Sequence, residues 1–384
     1  MSKFQPARRL QGIEKSLIRQ LFDRARPGSI NLGLGEPDLP TPDVIRRAGA
    51  RVITEEQNGY TSHAGLAALR ARVANDYPAL NLTPEQVIIT AGSQEALYLA
   101  LTTLVDEGDE VLLPDPGFVA YPTIVRMAGG QPIFYRLPAA VGFEFDDADF
   151  RQRLTPRTKV VVCISPSNPT GRTLAPDQLV AMADALAGTN VFVISDEIYR
   201  ELYFTAERPE SISSYYDRTI VIGGVSKSLS MTGWRLGWLA GDADFIKSAL
   251  ILHGYVTTCA STISQKAALE GAWTNEAEVD RAAMRKIFRE RRDHLLSLLQ
   301  DELELSAVAP DGAFYTMVDI SRYGSSMKLA EALLEEDVIT VPGVAFGHES
   351  EGFLRVSFCA THDVLAEGVR RMGRALAKLR AGKL

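Results

Sequence analysis

Through the first 240 residues, short apolar runs rich in β-branched side chains alternate with stretches whose apolar positions recur at helical spacing. VIIT (87–90) leads into SQEALYLALTTLVD, EVLL (110–113) into VAYPTIVRMAG, PIFYRL (132–137) into DDADFRQRL, and VVVCI (160–164) into PDQLVAMADALAG. VFVIS (191–195), TIVIGG (219–224) and RLGWLAG (235–241) follow. Apolar runs too short for helices, separated by helical stretches, mark strands buried on both faces. The pattern predicts an α/β fold of βα units around a mostly parallel sheet. Two helix starts are signposted. Thr41-Pro42-Asp43 reads as an N-cap with proline at N1, and Thr83-Pro84-Glu85-Gln86 has the spacing of a capping box.

From about residue 275 the pattern changes. NEAEVDRAAMRKIFRERRDHLLSLLQD is a long charged helix with apolar residues on one side. Shorter strand runs follow, AFYTMVDI, VITVPG and LRVSF, and the chain closes with the helical HDVLAEGVRRMGRALAKLRAG. This predicts a second, smaller α+β domain joined to the first through a helix. The expected division is 41–275 for the large domain and 276–384 for the small one, with 1–40 a segment joining the small domain.

Composition narrows the class. A chain of 384 residues accommodates two domains at about 150 residues each. The net charge of −7 argues against a nucleic-acid partner. Cys163, Cys259 and Cys359 are odd in number and widely spaced, as expected of small buried hydrophobes in a reduced compartment. MSKFQPARRLQGIEK lacks the apolar core of a signal peptide, and no stretch approaches the ~18 apolar residues of a membrane span. A cytoplasmic protein is expected.

The chemistry-bearing residues cluster where the predicted strands end. In GGVSKSLSMTGWRLGW (223–238), Lys227 follows an apolar strand in a Ser/Gly-rich turn, the place where α/β proteins hold ligands. A lone lysine is ordinarily a solvated surface group. One partly desolvated beside Arg235 has a depressed pKa and can attack a carbonyl to form a Schiff base. VFVISDEIY ends in Asp196 and Glu197, with Tyr199 beyond. Asp196 is either a helix cap or the counter-ion of a buried cation such as a protonated pyridine nitrogen. In SPSNPTG, Asn168 sits in a rigid turn and can donate a hydrogen bond. In TAGSQEAL, Gly92 permits a tight turn before Ser93 and Gln94 open a helix, an arrangement suited to phosphate. There is no Walker A pattern, and GLGEPD lacks the third glycine of a dinucleotide fingerprint. One ligand calls for an amine nucleophile, a buried acid, hydrogen-bonding Asn and Tyr, and a phosphate cradle together: pyridoxal phosphate.

In the order and spacing of LGLGEPDLPTP, GYTSHAGLAALR, TAGSQEALYLAL, PDPGFVAYP, SPSNPTGRT, SDEIYREL, GGVSKSLSMTGWRLGW, PDGAFY and PGVAFG…GFLRVSF, the chain resembles a class I/II aminotransferase of the fold-type-I pyridoxal phosphate superfamily over almost its whole length. The resemblance implies a large domain with a mostly parallel seven-stranded sheet flanked by helices. It implies that Lys227 holds the cofactor as a Schiff base, that Asp196 pairs with its ring nitrogen, and that Asn168 and Tyr199 bond its phenolic oxygen. Gly92, Ser93, Gln94, Ser226 and Arg235 would hold the phosphate and Phe118 would stack on the ring. Arg355 would grip the substrate α-carboxylate, with Gly35 offering its backbone N–H and Asn168 alongside. Tyr60 would reach the phosphate of a second subunit, implying a homodimer. The implied reaction moves an amino group from an L-amino acid to a 2-oxo acid, 2-oxoglutarate being the expected acceptor, with ping-pong kinetics. Same-fold β-lyases, oxidases and γ-substituted amino acid synthases share this Lys–Asp–Arg set and stay open at this point. So does a non-catalytic regulator, although the chain has no room for the DNA-binding domain such regulators carry. Some aspartate-preferring relatives carry lysine directly after the glycine of the phosphate motif, where this chain has Ser93, so the donor is left open. Side-chain selectivity is expected from the N-terminal segment and the partner subunit, around Glu14 to Leu17, and from loops. His63 and His348 read as solvated loop residues.

Overall fold

The computed structural model describes residues 5–381. In chain order its strands are β1 (Ile30–Asn31), β2 (Val87–Thr90), β3 (Glu110–Asp115), β4 (Gln131–Arg136), β5 (Thr158–Ile164), β6 (Phe192–Asp196), β7 (Thr219–Gly224), β8 (Gly237–Ala240), β9 (Tyr315–Asp319), β10 (Val338–Ile339), β11 (Val341–Pro342) and β12 (Phe353–Ser357). Seven of them form one sheet in the order β2-β8-β7-β6-β5-β3-β4. All are mutually parallel except β8, which runs antiparallel to both its neighbours. The mostly parallel seven-stranded sheet is therefore present, and RLGWLAG supplies its one reversed strand.

The apolar runs form central strands because both faces of the sheet are covered. Alternate residues of β5 enter different cores: Val160, Val162 and Ile164 pack on one side, Val161 and Cys163 on the other, as the period-2 pleat requires. β6, β7 and β5 run side by side in the middle of the sheet. Their C-terminal ends open onto one edge, where the turns carrying Asp196, Lys227 and Asn168 lie.

The helix Asn275–Leu303 follows the large sheet. Its 29 residues extend ~43 Å. Thr274 caps it by accepting the Ala277 N–H. Its buried positions, including Met284, Phe288, Leu295 and Leu299, recur at three and four residues along one face. Arg281 and Arg291 share that face, which the sequence pattern alone assigned to apolar side chains.

Beyond this helix, β11, β12 and β9 make a three-stranded antiparallel sheet. VITVPG is not one strand. Val338–Ile339 pairs in parallel with β1 from the N-terminal segment, while Val341–Pro342 pairs with β12. The break lets one short segment tie the N-terminal residues to the C-terminal part of the chain. A second expectation also needs correcting. Thr41 does not cap a helix: the helix is Asp43–Glu55 with Pro42 in the cap position, and the Thr41 hydroxyl donates instead to Ser230 O at 2.7 Å. The capping box at Thr83 forms on a single 3₁₀ turn, Pro84–Gln86. No helix among the described residues is long and apolar enough to cross a membrane.

Candidate active site

The strand ends and the N-terminal segment enclose a cavity of about 450 Å³. Ser93, Gln94, Phe118, Asn168, Asp196, Tyr199, Ser226, Lys227, Arg235, Arg355 and Gly35 all line it. Of the residues singled out in the sequence, Gly92 lies just behind the wall and Tyr60 lies outside.

One end of the cavity suits an anion. The helix Ser93–Leu104 starts here, and its first N–H groups have no partner within the helix. Gly92 takes φ +86, a backbone shape that favours glycine, and a Cβ there would stand 2.6 Å from the Arg235 guanidinium and displace it. Arg235 is held by two carbonyls, Thr232 O at 3.0 Å and Ala91 O at 3.3 Å, and by no carboxylate among the described residues. Glu95 fixes the turn from behind, accepting the Ala91 N–H at 2.5 Å and the Thr257 hydroxyl at 2.6 Å.

The two consecutive acids at the end of β6 have opposite fates. Glu197 points away from the cavity, accepts from the Ser195 and Ser211 hydroxyls, and pairs with Arg200 at 3.0 Å. Asp196 faces the cavity. It accepts the Tyr121 hydroxyl at 2.9 Å and the Ile198 N–H at 3.3 Å, and no cation among the described residues meets it. Burial pushes its carboxyl up to about 6, against the hydrogen bonds from Tyr121 and Ile198.

Lys227 lines the same cavity as Asp196 and Arg355. Its Nζ donates to Gly35 O at 2.8 Å. Burial holds the amine below the usual lysine range. Cys359 and Glu36 oppose that shift, and the nearby charges of Arg235 and Arg355 add to it. Gly35 thus presents its carbonyl to the lysine here. Arg355, on β12, is 3% exposed. It donates to Asn168 Oδ1 at 2.7 Å and to Gly33 O at 2.5 Å, while its Nε has no partner. Its guanidinium lies over the rings of Tyr315 and Phe346, 4.2 and 4.7 Å from their centroids. The Tyr199 and Tyr315 hydroxyls meet at 3.0 Å.

Tyr121 and Tyr315 are site residues that sequence reasoning left without a role. Both lie in motifs that were visible, PDPGFVAYP and PDGAFY. The signal was an aromatic hydroxyl at a position destined for burial, which needs a polar partner. The N-terminal selectivity expectation lands close by: Ser16, Ile18, Arg19 and Phe22 reach the cavity, whereas Glu14 and Leu17 do not line it. Neither His63 nor His348 lines it. His63 lies against Gly254, and His348 uses its backbone N–H to bond Asp115.

The seven-stranded sheet, with a lysine, an acid and an anion cradle gathered at its strand ends, is the architecture of fold-type-I pyridoxal phosphate enzymes. The comparisons narrow this to one family. The family profile described as "Aminotransferase class I and II" matches residues 27–372, and the chain belongs to that family. A putative aminotransferase of Bacillus subtilis is 38% identical over 379 residues, covering 96% of this chain and 97% of that protein. The aspartate aminotransferase of Pyrococcus horikoshii is 35% identical over 382 residues, 97% of this chain and 98% of that protein. Among solved structures, the aspartate aminotransferase from Thermus thermophilus with maleate superposes with a TM-score of 0.92 at 34% identity, covering 97% of this chain and all of that one. The protein is an aminotransferase.

Proposed function

We propose that this chain is a pyridoxal-phosphate-dependent transaminase that moves the amino group of an L-amino acid to a 2-oxo acid, with 2-oxoglutarate as acceptor, and that it works as a cytoplasmic homodimer. The observation carrying the proposal is a pair of unmatched buried charges in one cavity. Among the described residues the Asp196 carboxylate meets no cation and the Arg355 guanidinium no anion, and both line the cavity together with Lys227, an amine held below its usual range. Unpaired buried charges are costly, and two that face an open cavity each fit a missing partner. A pyridinium fits the first and a substrate carboxylate the second. The helix start at Ser93 with Arg235 fits a phosphate.

When bound, pyridoxal phosphate supplies an aldehyde for an amine and an electron-withdrawing ring that acidifies the substrate Cα–H. The chain's own residues do the rest. Asp196 would keep a proton on a pyridine ring nitrogen. Asn168 and Tyr199 would hydrogen-bond the phenolic oxygen, Phe118 would cover the ring, and Ser93, Gln94, Ser226 and Arg235 would hold the phosphate. Arg355 grips the α-carboxylate as a charge-assisted pair, which orients the Cα–H toward Lys227. Lys227, with its proton affinity lowered by burial, would be the base that accepts the Cα proton and the acid that gives it back. A second 2-oxo acid reverses the sequence, giving ping-pong kinetics.

The surface supports a second subunit. Tyr60 is 88% exposed, as is Tyr255 (90%) near the end of the helix Ala243–Val256, and Thr262, which starts the next helix, donates to Gly59 O at 2.7 Å. A large aromatic at this exposure is suited to a partner, and Tyr60 would complete the partner's phosphate site.

Borohydride treatment of the cofactor-loaded protein, followed by peptide mapping, should place the label on Lys227. Adding an amino acid should convert the aldehyde-form absorbance to the amine form, and 2-oxoglutarate should restore it. Label on any other residue sinks the proposal. Ammonia and pyruvate release without an acceptor would assign a lyase instead.

A further inference from the structure

A buried carboxylate that the mechanism does not use lies at the end of β3. Asp115 is 7% exposed and meets no cation among the described residues. Its two oxygens accept the backbone N–H groups of His348 and Glu349, both at 3.1 Å. Burial pushes this carboxyl above its ordinary range, and the two N–H donors act against that. Gly347 lies flat against it: a Cβ on Gly347 would fall 1.9 Å from Oδ1, and its φ of +144 already disfavours any other residue. The adjacent backbone repeats the connection, with the Gly117 N–H donating to Phe346 O at 3.0 Å. At the outer edge Arg136 pairs with Glu349 at 2.6 Å.

The two joined segments carry different halves of the active site. Asp115 stands three residues before Phe118, which lines the cavity. The loop it holds begins at Phe346, whose ring lies under the Arg355 guanidinium. β3 belongs to the seven-stranded sheet, and the Phe346 loop connects β11 to β12 of the three-stranded one.

We propose that Asp115 is a positioning residue for substrate carboxylate binding: by clasping residues 347–349 it seats Phe346 against Arg355 and sets the distance from that guanidinium to the cofactor-ring wall at Phe118. The inference rests on the reading of Arg355 as the carboxylate site. A carboxylate is needed because both facing groups are donors. An amide would turn its NH₂ toward one N–H and leave that donor unpaired.

The test compares Asp115→Asn, Gly347→Ala, the double variant and Arg355→Ala in the cofactor-loaded protein, reading maleate affinity, cofactor affinity, KM and kcat. Asp115→Asn and Gly347→Ala should each weaken maleate and raise the amino-acid KM about tenfold, the scale of one unsatisfied buried hydrogen bond. Change in kcat should stay within about threefold, cofactor affinity should hold, and the double variant should be no worse than either single one, because both break the same clasp. Unchanged maleate affinity in Asp115→Asn, alongside a large loss in Arg355→Ala, overturns the clasp. So does an equal loss of maleate and cofactor affinity, which marks a general structural role, or additive losses in the double variant. Unchanged maleate affinity in Arg355→Ala would instead overturn the assignment of the carboxylate site itself.

Discussion

Asp196 and Arg355 are buried charges of opposite sign in one cavity, and their surroundings differ. Asp196 ends a central strand of the seven-stranded sheet and has two neutral donors, Tyr121 and Ile198 N–H. Arg355 is on a three-stranded sheet, sandwiched by aromatic rings and bonded to two carbonyl-type oxygens. The acid is fixed by the backbone of the strand that carries it. The base is fixed by side chains from several segments. Other buried charges have partners of their own: Glu197 has Arg200, Arg291 holds Asp38 through two bonds of 2.6 and 3.0 Å, and Asp115 has two backbone N–H donors. Asp196 and Arg355 differ in that both line one cavity, the mark of a site completed by ligands.

Lys227 lines the same cavity and would carry both the amine attack and the proton transfer, so removing it gives the largest effect. Lys227→Ala should fold and still take up pyridoxal phosphate, while turnover falls by at least ~10⁴, since both the amine attack and the proton transfer are lost. Retained steady-state activity in that variant would remove the basis of the comparison. Arg355→Ala should cost roughly 10²–10³ in kcat/KM, mainly through KM, with cofactor absorbance nearly intact, because a charge-assisted bidentate pair is lost at one end only. A loss of cofactor absorbance on the same scale would show that the two ends are not separable.

Asp196→Asn sharpens the other end through stability. The folded carboxyl titrates at about 6 against an ordinary 3.8, so it binds its proton more tightly when folded. Its favourable contribution is complete below pH ~4 and is lost as pH rises through 6, by about 3 kcal/mol at most. Without cofactor, Asp196→Asn should therefore be more stable than the parent at pH 8 by about 2 kcal/mol and nearly equal to it at pH 4, measured by urea unfolding. With cofactor bound, the parent should overtake the variant, because its charge then has a partner. A stability gap independent of pH would mean that the acid is already compensated within the chain.

Much of this was legible because parallel strands buried on both faces leave a strong apolar signal, and because α/β folds put ligands where such strands end. Asp196 and Lys227 could be singled out for that reason: Asp196 directly follows an apolar run, and Lys227 sits in the turn just after one. Arg355 could be placed only by resemblance, since LRVSF has the look of any edge strand. Contacts between distant segments were invisible. Nothing local in VITVPG tells that its halves join different sheets, or that Asp115 reaches residue 347. Thr41 misled for a related reason: its cap chemistry is sound, but a long-range partner, Ser230 O, captured the hydroxyl. Tyr121 and Tyr315 were visible as aromatics, and only the fold could show which buried polar group each one meets.

Tyr315 touches the Arg355 end of the comparison and Tyr199, and carries the smallest expected effect. Its ring supports Arg355 and its hydroxyl meets that of Tyr199. Burial pushes both phenols up, so both keep their protons at neutral pH. A hydroxyl has one proton to give. If Tyr199 spends its own on the phenolic oxygen of the cofactor, the bond between the two tyrosines must run from Tyr315 to Tyr199, which polarises Tyr199 as a donor. Tyr315→Phe keeps the ring under Arg355 and removes only that bond. kcat should fall about fivefold, the size of one net hydrogen bond, with KM for the amino acid unchanged. The bound cofactor's absorbance should also titrate at a higher pH, because its phenolate is less well stabilised. A rise in KM at constant kcat would place the Tyr315 hydroxyl in carboxylate binding and leave Tyr199 to act alone.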